Sequence, residues 1–164
     1  MTSLSVLIVD DDQALLEALP EAMRLRMGGV TVETADSAAA ALDRIAERDY
    51  DAIVTDIRMP GMDGLKLLDE IRTRKPDIPT LIITGHGDND LVVHALRGGA
   101  RDFIQKPIDR DYFVAALYRA IREHVAARQI KERHEAMESW ADELERVVEK
   151  LERDLQAQPG RSES

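Results

Sequence analysis

The most informative stretch of the chain is Val54-Thr55-Asp56-Ile57-Arg58-Met59-Pro60-Gly61-Met62-Asp63-Gly64. It begins as the end of an apolar run, places Asp56 last in that run and continues into a loop rich in Pro and Gly. A carboxylate held at the end of a strand can act as a nucleophile and accept a phosphoryl group. That interpretation requires further acids, a hydroxyl and a lysine at the ends of other strands.

Five short apolar runs alternate with helical patterns along the chain. They are Leu4–Val9, Thr31–Thr34, Ala52–Asp56, Thr80–Thr84 and Asp102–Gln105. The alternation predicts an α/β fold with a parallel sheet. Because the third and fourth runs are apolar without a two-residue period, we expect them to be central strands covered on both faces.

Polar residues and glycines mark the ends of the predicted helices. The candidate helix starts are Asp36 or Ser37 for the second helix, Asp63 for the third, and Asp88 or Asn89 for the fourth. Gly98-Gly99 is expected to end the fourth helix. Pro20 conflicts with the first helix, about Gln13–Arg26, and predicts either a kink or a late start.

Composition excludes several classes of function. The 164 residues carry a net charge of -10, which argues against direct nucleic-acid binding because such surfaces need clustered Lys and Arg. No cysteine is present, so disulfides and thiolate chemistry are excluded. The N-terminal apolar run is too short for a signal peptide or a membrane span. We therefore predict a cytoplasmic protein without a membrane partner.

Chemically useful side chains follow four of the predicted strands. Asp10 and Asp11 follow the first, Asp56 ends the third, Thr84 ends the fourth and Lys106 follows the fifth. In open parallel sheets, sites form beyond the carboxyl ends of the strands. Three carboxylates at such close range repel one another and favour a divalent cation, and an all-oxygen ligand set favours Mg²⁺. The predicted chemistry is phosphoryl transfer.

These motifs, taken together, resemble the receiver domains of two-component response regulators over about residues 4–123. The matching segments are Val9-Asp10-Asp11-Asp12, Thr55 to Gly64, Ile83-Thr84-Gly85 and Gln105-Lys106-Pro107. The resemblance implies a flavodoxin-like, doubly wound sheet of five parallel strands in the order 2-1-3-4-5, the order that flavodoxin shares with a chemotaxis receiver.

The resemblance also implies the roles of the acidic residues. Asp56 would take a phosphoryl group from the phosphohistidine of a sensor histidine kinase or a phosphotransfer protein. Asp11, Asp56, the Arg58 backbone carbonyl and, mainly through water, Asp10 would hold Mg²⁺. Lys106 would pair with a phosphoryl oxygen. Beyond this self-catalysed transfer and autodephosphorylation, we expect no enzymatic activity.

A conformational switch is implied by the same resemblance. Thr84 would donate a hydrogen bond to the phosphorylated form, and Phe103 would then turn inward. Phe103 lacks the hydroxyl of the tyrosine that is frequent there, so any signal that depends on that hydroxyl is not expected. A cis peptide bond between Lys106 and Pro107 would aim the lysine into the site. The output surface would be the fourth helix, fifth strand and fifth helix, about Leu91 to Tyr118.

The C-terminal part predicts a coiled coil. No Gly or Pro occurs between Arg110 and Pro159, so the fifth helix is expected to continue to about Gln156. Its apolar seam consists of Ile130, Met137, Leu144 and Leu151, with Ala127, His134, Ala141, Val148 and Leu155 at the alternate positions. This heptad pattern favours a homodimer, although an amphipathic helix packed on its own domain is an alternative. The predicted domains are residues 1–123 (receiver), 124–156 (coiled coil) and 157–164 (disordered tail or linker).

Two other functional interpretations fit parts of the sequence. In a haloacid-dehalogenase-type phosphatase, Asp10 would be the nucleophile and Thr84 would belong to a second motif. That hypothesis leaves the stretch from Asp56 to Gly64 unexplained. In a degenerate receiver, the domain would be only an interaction module, which the intact acids, Thr84 and Lys106 argue against.

Overall fold

The structure is a computed structural model that describes residues 3–158, and these divide into two units between Val125 and Ala126. The strands are β1 Leu4–Val9, β2 Val30–Ala35, β3 Ala52–Asp56, β4 Thr80–Thr84 and β5 Asp102–Gln105. The helices are α1 Gln13–Arg26, α2 Ala38–Glu47, α3 Gly64–Arg74, α4 Asn89–Arg97 and α5 Arg110–Gln156. Four strands have the predicted bounds, and β2 is one residue longer at each end.

The five strands form one parallel sheet in the order β2-β1-β3-β4-β5, which confirms the predicted fold class. β1 pairs with both β2 and β3, so Val9 lies beside Ala35 on one side and Thr55 on the other. The strand order therefore reverses between β1 and β3. This switch point is where doubly wound sheets form their binding crevice.

Helices cover both faces of the sheet. On one face, Val6 and Ile8 of β1 belong to a buried cluster with residues of α1 and with Phe113 of α5. On the other face, Leu7 of β1 packs in a cluster with residues of α2 and α3 such as Ile45. β3 and β4 are buried along their whole length, as predicted for central strands. The helices packed on both faces thereby hold the ends of the strands in place.

The local signals at helix ends are largely confirmed. The Ser37 side chain accepts a hydrogen bond from the Ala40 N–H, and the Asp63 side chain accepts one from the Lys66 N–H. Of the two outcomes predicted from Pro20, a kink or a late start, the late start is wrong. The helix begins at Gln13 because the Asp12 carboxylate caps it, accepting from the Ala14 N–H at 3.0 Å. Pro20 lies inside this helix, where it is buried.

In the second unit, helix α5 runs to Gln156 as predicted, and each residue from Ala126 to Gln156 is exposed. Ion pairs three or four residues apart stabilise it locally, such as Arg128 with Glu132 at 3.2 Å. Of the predicted tail, residues 159–164 lie outside the described part of the chain.

Candidate functional site

The site lies where four strands end. Asp56 is the last residue of β3, and its register partner on β4 is Ile83, directly before Thr84. Asp10 and Asp11 follow β1, and Lys106 follows β5. The parallel sheet turns all of these ends toward the same edge. The structure thus places the predicted residues at one edge, although they are separated by as many as 96 positions in the chain (Asp10 to Lys106).

The side chains of Asp56 and Lys106 are in direct contact. The Lys106 ammonium donates a hydrogen bond to Asp56 Oδ2 at 3.0 Å, and the Arg58 backbone N–H donates to Asp56 Oδ1 at 3.1 Å. Although burial lowers the pKa of Lys106, its hydrogen bond to Asp56 and the charge of Asp10 raise that pKa overall. Lys106 is therefore a cation held against a buried carboxylate.

Asp10 is a buried carboxyl with one unsatisfied oxygen. Its Oδ1 accepts a hydrogen bond from the Asp12 N–H at 2.9 Å, but its Oδ2 has no hydrogen-bond donor among the described residues. The nearest cation is Lys106, whose Nζ lies 3.6 Å from Oδ2. Burial, aided by the charge of Asp56, raises the pKa of Asp10 from its usual 3.8 to about 6. This oxygen is a free ligand position in an electronegative pocket.

Asp10, Asp11 and Asp56 form a cluster that fits a hard cation. Each offers one oxygen, and the three oxygens lie within 4.8 Å of one another. Asp10 and Asp56 are buried, whereas Asp11 is exposed. A divalent ion here would satisfy Asp10 Oδ2 and offset the repulsion among the carboxylates. The donor set therefore fits the implied magnesium.

The remaining predicted residues lie around this cluster. Thr84 is buried, while Phe103 on β5 is exposed. The peptide bond between Lys106 and Pro107 is cis. The Lys106 backbone N–H also donates to the Thr84 carbonyl at 2.7 Å, which ties the end of β4 to the residue that carries the ammonium.

Asp88 has a different role from the predicted one. It occupies the N-cap position of α4, but its side chain makes no capping hydrogen bond. Its buried carboxylate accepts from Arg58 Nε at 2.6 Å and from the Gly85 N–H at 2.8 Å. The bonds from Arg58 and Gly85 lower the pKa of Asp88. No local signal predicts the pair of Asp88 with Arg58, because the two residues are 30 positions apart.

Gly64 was also missed as a site residue. Its N–H donates to the Ile57 carbonyl at 3.0 Å, and a Cβ at this position would lie 2.2 Å from the Asp56 carbonyl oxygen. Only glycine allows the start of α3 to approach the acceptor strand this closely. In the sequence, Gly64 belongs to a matching segment, but no local signal shows that its Cβ position meets the Asp56 backbone.

The fold and this set of side chains define a receiver domain. The family model described as response regulator receiver domain matches residues 6–118, and the chain belongs to this family. It is thus a phosphoacceptor signalling domain of two-component systems.

Two relatives are similar in sequence to most of this chain. The chain is 44% identical over 115 residues to the transcriptional regulatory protein FixJ of Azorhizobium caulinodans, covering 70% of this chain and 54% of that protein. It is 41% identical over 124 residues to the DNA-binding transcriptional regulator NtrC of Escherichia coli, covering 76% of this chain and 26% of that protein. The chain therefore spans about a quarter to about half of the length of these relatives.

Among solved structures, the receiver domain of NtrX from Brucella abortus is similar to this chain, with a TM-score of 0.67 and 34% sequence identity. The match covers 71% of this chain and 98% of that one. Within residues 3–158, no helix combines the length and apolar character needed to cross a membrane.

Proposed function

We propose that Asp56 is the phosphate acceptor of this receiver domain. One observation carries the proposal: the Lys106 ammonium lies 3.0 Å from Asp56 Oδ2, in a pocket where the Asp10 and Asp11 carboxylates are also within ligand distance of each other and of Asp56. An oxygen of Asp56 forms a bond to phosphorus as the P–N bond of a phosphohistidine breaks, and the imidazole leaves with the electron pair. Lys106 then pairs with a phosphoryl oxygen.

Magnesium is the cofactor that we propose for this transfer. Asp10, Asp11 and Asp56 would hold it together with the Arg58 backbone carbonyl, and the ion would neutralise charge on the phosphoryl group. Asp10 serves as a ligand rather than as a nucleophile, because its raised pKa reflects a site that disfavours its charge unless a cation is present.

The switch follows from the neighbours of the acceptor. Thr84 donates its hydroxyl hydrogen to the phosphoryl group, and Phe103 turns inward as the β4–α4 loop moves. The signal then leaves through the surface formed by α4, β5 and the first part of α5, about residues 91–118. An exposed Phe103 in the present structure is consistent with a resting state.

The partner that supplies the phosphoryl group is a sensor histidine kinase or a phosphotransfer protein. We propose no direct contact of this chain with nucleic acid, because its net charge is -10. NtrC is a DNA-binding transcriptional regulator, and this chain covers 26% of its length. A cytoplasmic location remains a prediction from the sequence.

Intact-mass labelling tests the acceptor assignment. The full chain is incubated with Mg²⁺ and a small acyl phosphate, and wild type is compared with Asp56→Asn and Asp10→Asn. We expect one phosphoryl group on the wild type, none on Asp56→Asn and slower labelling of Asp10→Asn. Label that survives in Asp56→Asn but is lost in Asp10→Asn would contradict the assignment and favour the phosphatase hypothesis.

We further propose that residues 124–156 form a parallel homodimeric coiled coil beyond a receiver at residues 1–123. The seam residues Ile130, Met137, Leu144 and Leu151 are exposed in the single chain, as is Trp140 beside them. Apolar residues repeated at this spacing on an isolated helix require a partner to bury them.

The seam leucines, Leu144 and Leu151, favour a parallel dimer, and the charges beside the seam are compatible with it. The seven positions of a heptad are lettered a to g, and positions a and d form the apolar seam. The spacing places Ile130 at position d and His134 at the next position a. Arg133 is then at position g and Glu138 at position e. In a parallel pair, Arg133 faces Glu138 of the second copy, and no g position faces a like charge at the paired e position. An antiparallel pair sets e against e, where Glu138 meets Glu145 but Lys131 meets Glu152, and g against g, where Arg133 meets Asp154. Cross-linking therefore decides between the two orientations.

Cysteine cross-linking tests this orientation, since the natural chain has no cysteine. Ile130→Cys and Leu151→Cys are oxidised separately in the full chain. Both should form disulfide-linked dimers if the helices are parallel and in register, because each residue then faces its own copy. Failure of both variants to cross-link would exclude this arrangement. In a second test, Leu144→Gln should dissociate the dimer, whereas the control Glu149→Gln should not.

Phosphorylation is expected to act on this dimer through the α4–β5–α5 surface. The dimer dissociation constant, measured by sedimentation with and without the aspartyl phosphate, should differ between the two forms. Equal dissociation constants and equal cross-linking patterns would show that the coiled coil does not receive the signal.

A further inference from the structure

The Arg58 side chain is held beside the acceptor by one buried residue. Its backbone N–H donates to Asp56 Oδ1, so its main chain is tied to the acceptor carboxylate. Its side chain is 68% exposed and is bound through Nε to Asp88, which is only 3% exposed. Of the two partners, the exposed and flexible arginine is the one that can move at little cost.

Asp88 also binds the loop that follows Thr84. Its second carboxylate oxygen accepts the Gly85 N–H at 2.8 Å, and Gly85 directly follows Thr84. The same buried carboxylate therefore connects the loop after β3 with the loop after β4. Its charge decides how firmly Arg58 is held, whereas the bond to Gly85 needs only an acceptor oxygen.

An incoming phosphoryl group competes for this arginine. A guanidinium binds phosphate oxygens in a bidentate geometry, and a phosphoryl group offers more negative charge than one carboxylate. Arg58 follows the acceptor by two residues, so its side chain starts next to the point where the phosphoryl group arrives.

We propose that Asp88 is a positioning residue for phosphoryl transfer, which keeps Arg58 bound in the resting state and thereby slows uptake of the phosphoryl group by Asp56. The inference rests on the proposed function, in which Asp56 is the acceptor. Asp88→Asn keeps an oxygen for the Gly85 N–H but removes the charge that binds Arg58. The freed guanidinium then binds the phosphoryl oxygens of the donor.

The test is the initial rate of labelling of the full chain with Mg²⁺ and a small acyl phosphate. In this reaction an Asp56 oxygen bonds to phosphorus while the P–O bond to the acyl group breaks, and the carboxylate leaves with the electron pair. Asp88→Asn should label about two- to fivefold faster than wild type, the factor that corresponds to a partly exposed ion pair. Its melting temperature should nevertheless be lower, a combination that a purely structural role does not produce.

Matched variants make the result specific. Asp90→Asn removes the same charge from an exposed position in the first turn of α4 and should label at the wild-type rate. The double variant Arg58→Ala/Asp88→Asn should label no faster than Arg58→Ala alone, because the effect passes through the arginine. Asp88→Ser, whose hydroxyl oxygen can accept from Gly85, repeats the measurement with a second neutral side chain if Asp88→Asn does not fold.

The outcomes separate this inference from the function on which it rests. Labelling that persists in Asp56→Asn would overturn the acceptor assignment itself. If labelling depends on Asp56 but Asp88→Asn is not faster, or if its acceleration survives in the Arg58→Ala background, only the positioning role is wrong.

Discussion

Two aromatic residues of helix α5 have opposite surroundings. Phe113 is completely buried in the core that α1 and α5 form on the sheet, whereas Trp140, 27 residues later, is 69% exposed. The first is held by tertiary packing within one chain. The second lies on a part of the helix that carries local ion pairs three or four residues apart. The comparison shows that a single helix can depend on two different sources of stability.

The largest expected effect comes from truncating these two aromatic side chains. Phe113→Ala should lower the free energy of unfolding of the receiver domain by about 3–5 kcal/mol, because it removes buried area and leaves a cavity. Trp140→Ala should change that free energy by less than about 0.5 kcal/mol, since an exposed side chain loses little contact. Urea denaturation, followed by the ellipticity of the full chain, measures both.

Protein concentration provides the control for that experiment. The unfolding of the receiver domain should be independent of concentration, whereas loss of the coiled-coil helix should shift with concentration if a second copy stabilises it. A large effect of Trp140→Ala on the receiver transition would contradict this expectation, because it would show that the two regions do not unfold separately.

A second test compares two glycines of the receiver domain. In Gly64→Ala the new Cβ would lie 2.2 Å from the Asp56 carbonyl oxygen and 2.6 Å from Ile57 Cα, which neither backbone can accommodate without moving. We expect a loss of about 3 kcal/mol in stability together with slower labelling at Asp56. Gly28→Ala is the matched control, because a Cβ added there would have no atom within 4 Å and the φ of Gly28 is not in the left-handed region. Equal melting temperatures for the two variants would contradict this explanation.

The receiver fold was predictable because its signals are local and agree with one another. Apolar runs without alternation predict β3 and β4. Residue type and position predict Asp63 as a cap, and Ser37 is one of the two candidate caps, with Asp36, for α2. The carboxyl ends of parallel strands share an edge, so strand topology alone assigns the acids and Lys106 to one site. Periodicity and strand topology were sufficient for these features.

The features that were missed depend on tertiary distance. Asp88 looks like a helix cap in the sequence, but the buried end of α4 lies within reach of Arg58, and a charged partner outcompetes the backbone N–H groups of the helix. Gly64 has no special φ, and the reason for glycine there is a backbone 2.2 Å from its missing Cβ. Neither contact leaves a pattern in the order of residues.

The smallest expected effect is a gain of stability rather than a loss. It concerns the free energy that folding loses by keeping Asp10 charged in the site. An acid whose pKa is higher in the folded than in the unfolded chain binds more protons when folded, so stability falls as the pH rises between the two values. For Asp10 this window runs from 3.8 to about 6, and its ionisation should cost on the order of 2–3 kcal/mol at neutral pH. Asp10→Asn should remove this cost and raise the melting temperature of the metal-free protein at pH values of about 7.5.

Asp11→Asn is the matched control, because Asp11 belongs to the same cluster but is exposed. It should weaken Mg²⁺ binding without stabilising the metal-free protein. Asp10→Asn should weaken Mg²⁺ binding and also stabilise the metal-free protein. The difference in stability between Asp10→Asn and wild type should disappear below about pH 4. Mg²⁺ should also stabilise the wild type at neutral pH more than either variant. If Asp10→Asn instead melts below the wild type at neutral pH in chelator, Asp10 is a structural residue of the core. In that case the site contributes to the stability of the receiver domain, as its packing does. If Asp10→Asn is instead more stable than the wild type, the charged pocket that receives the phosphoryl group lowers the stability of the domain.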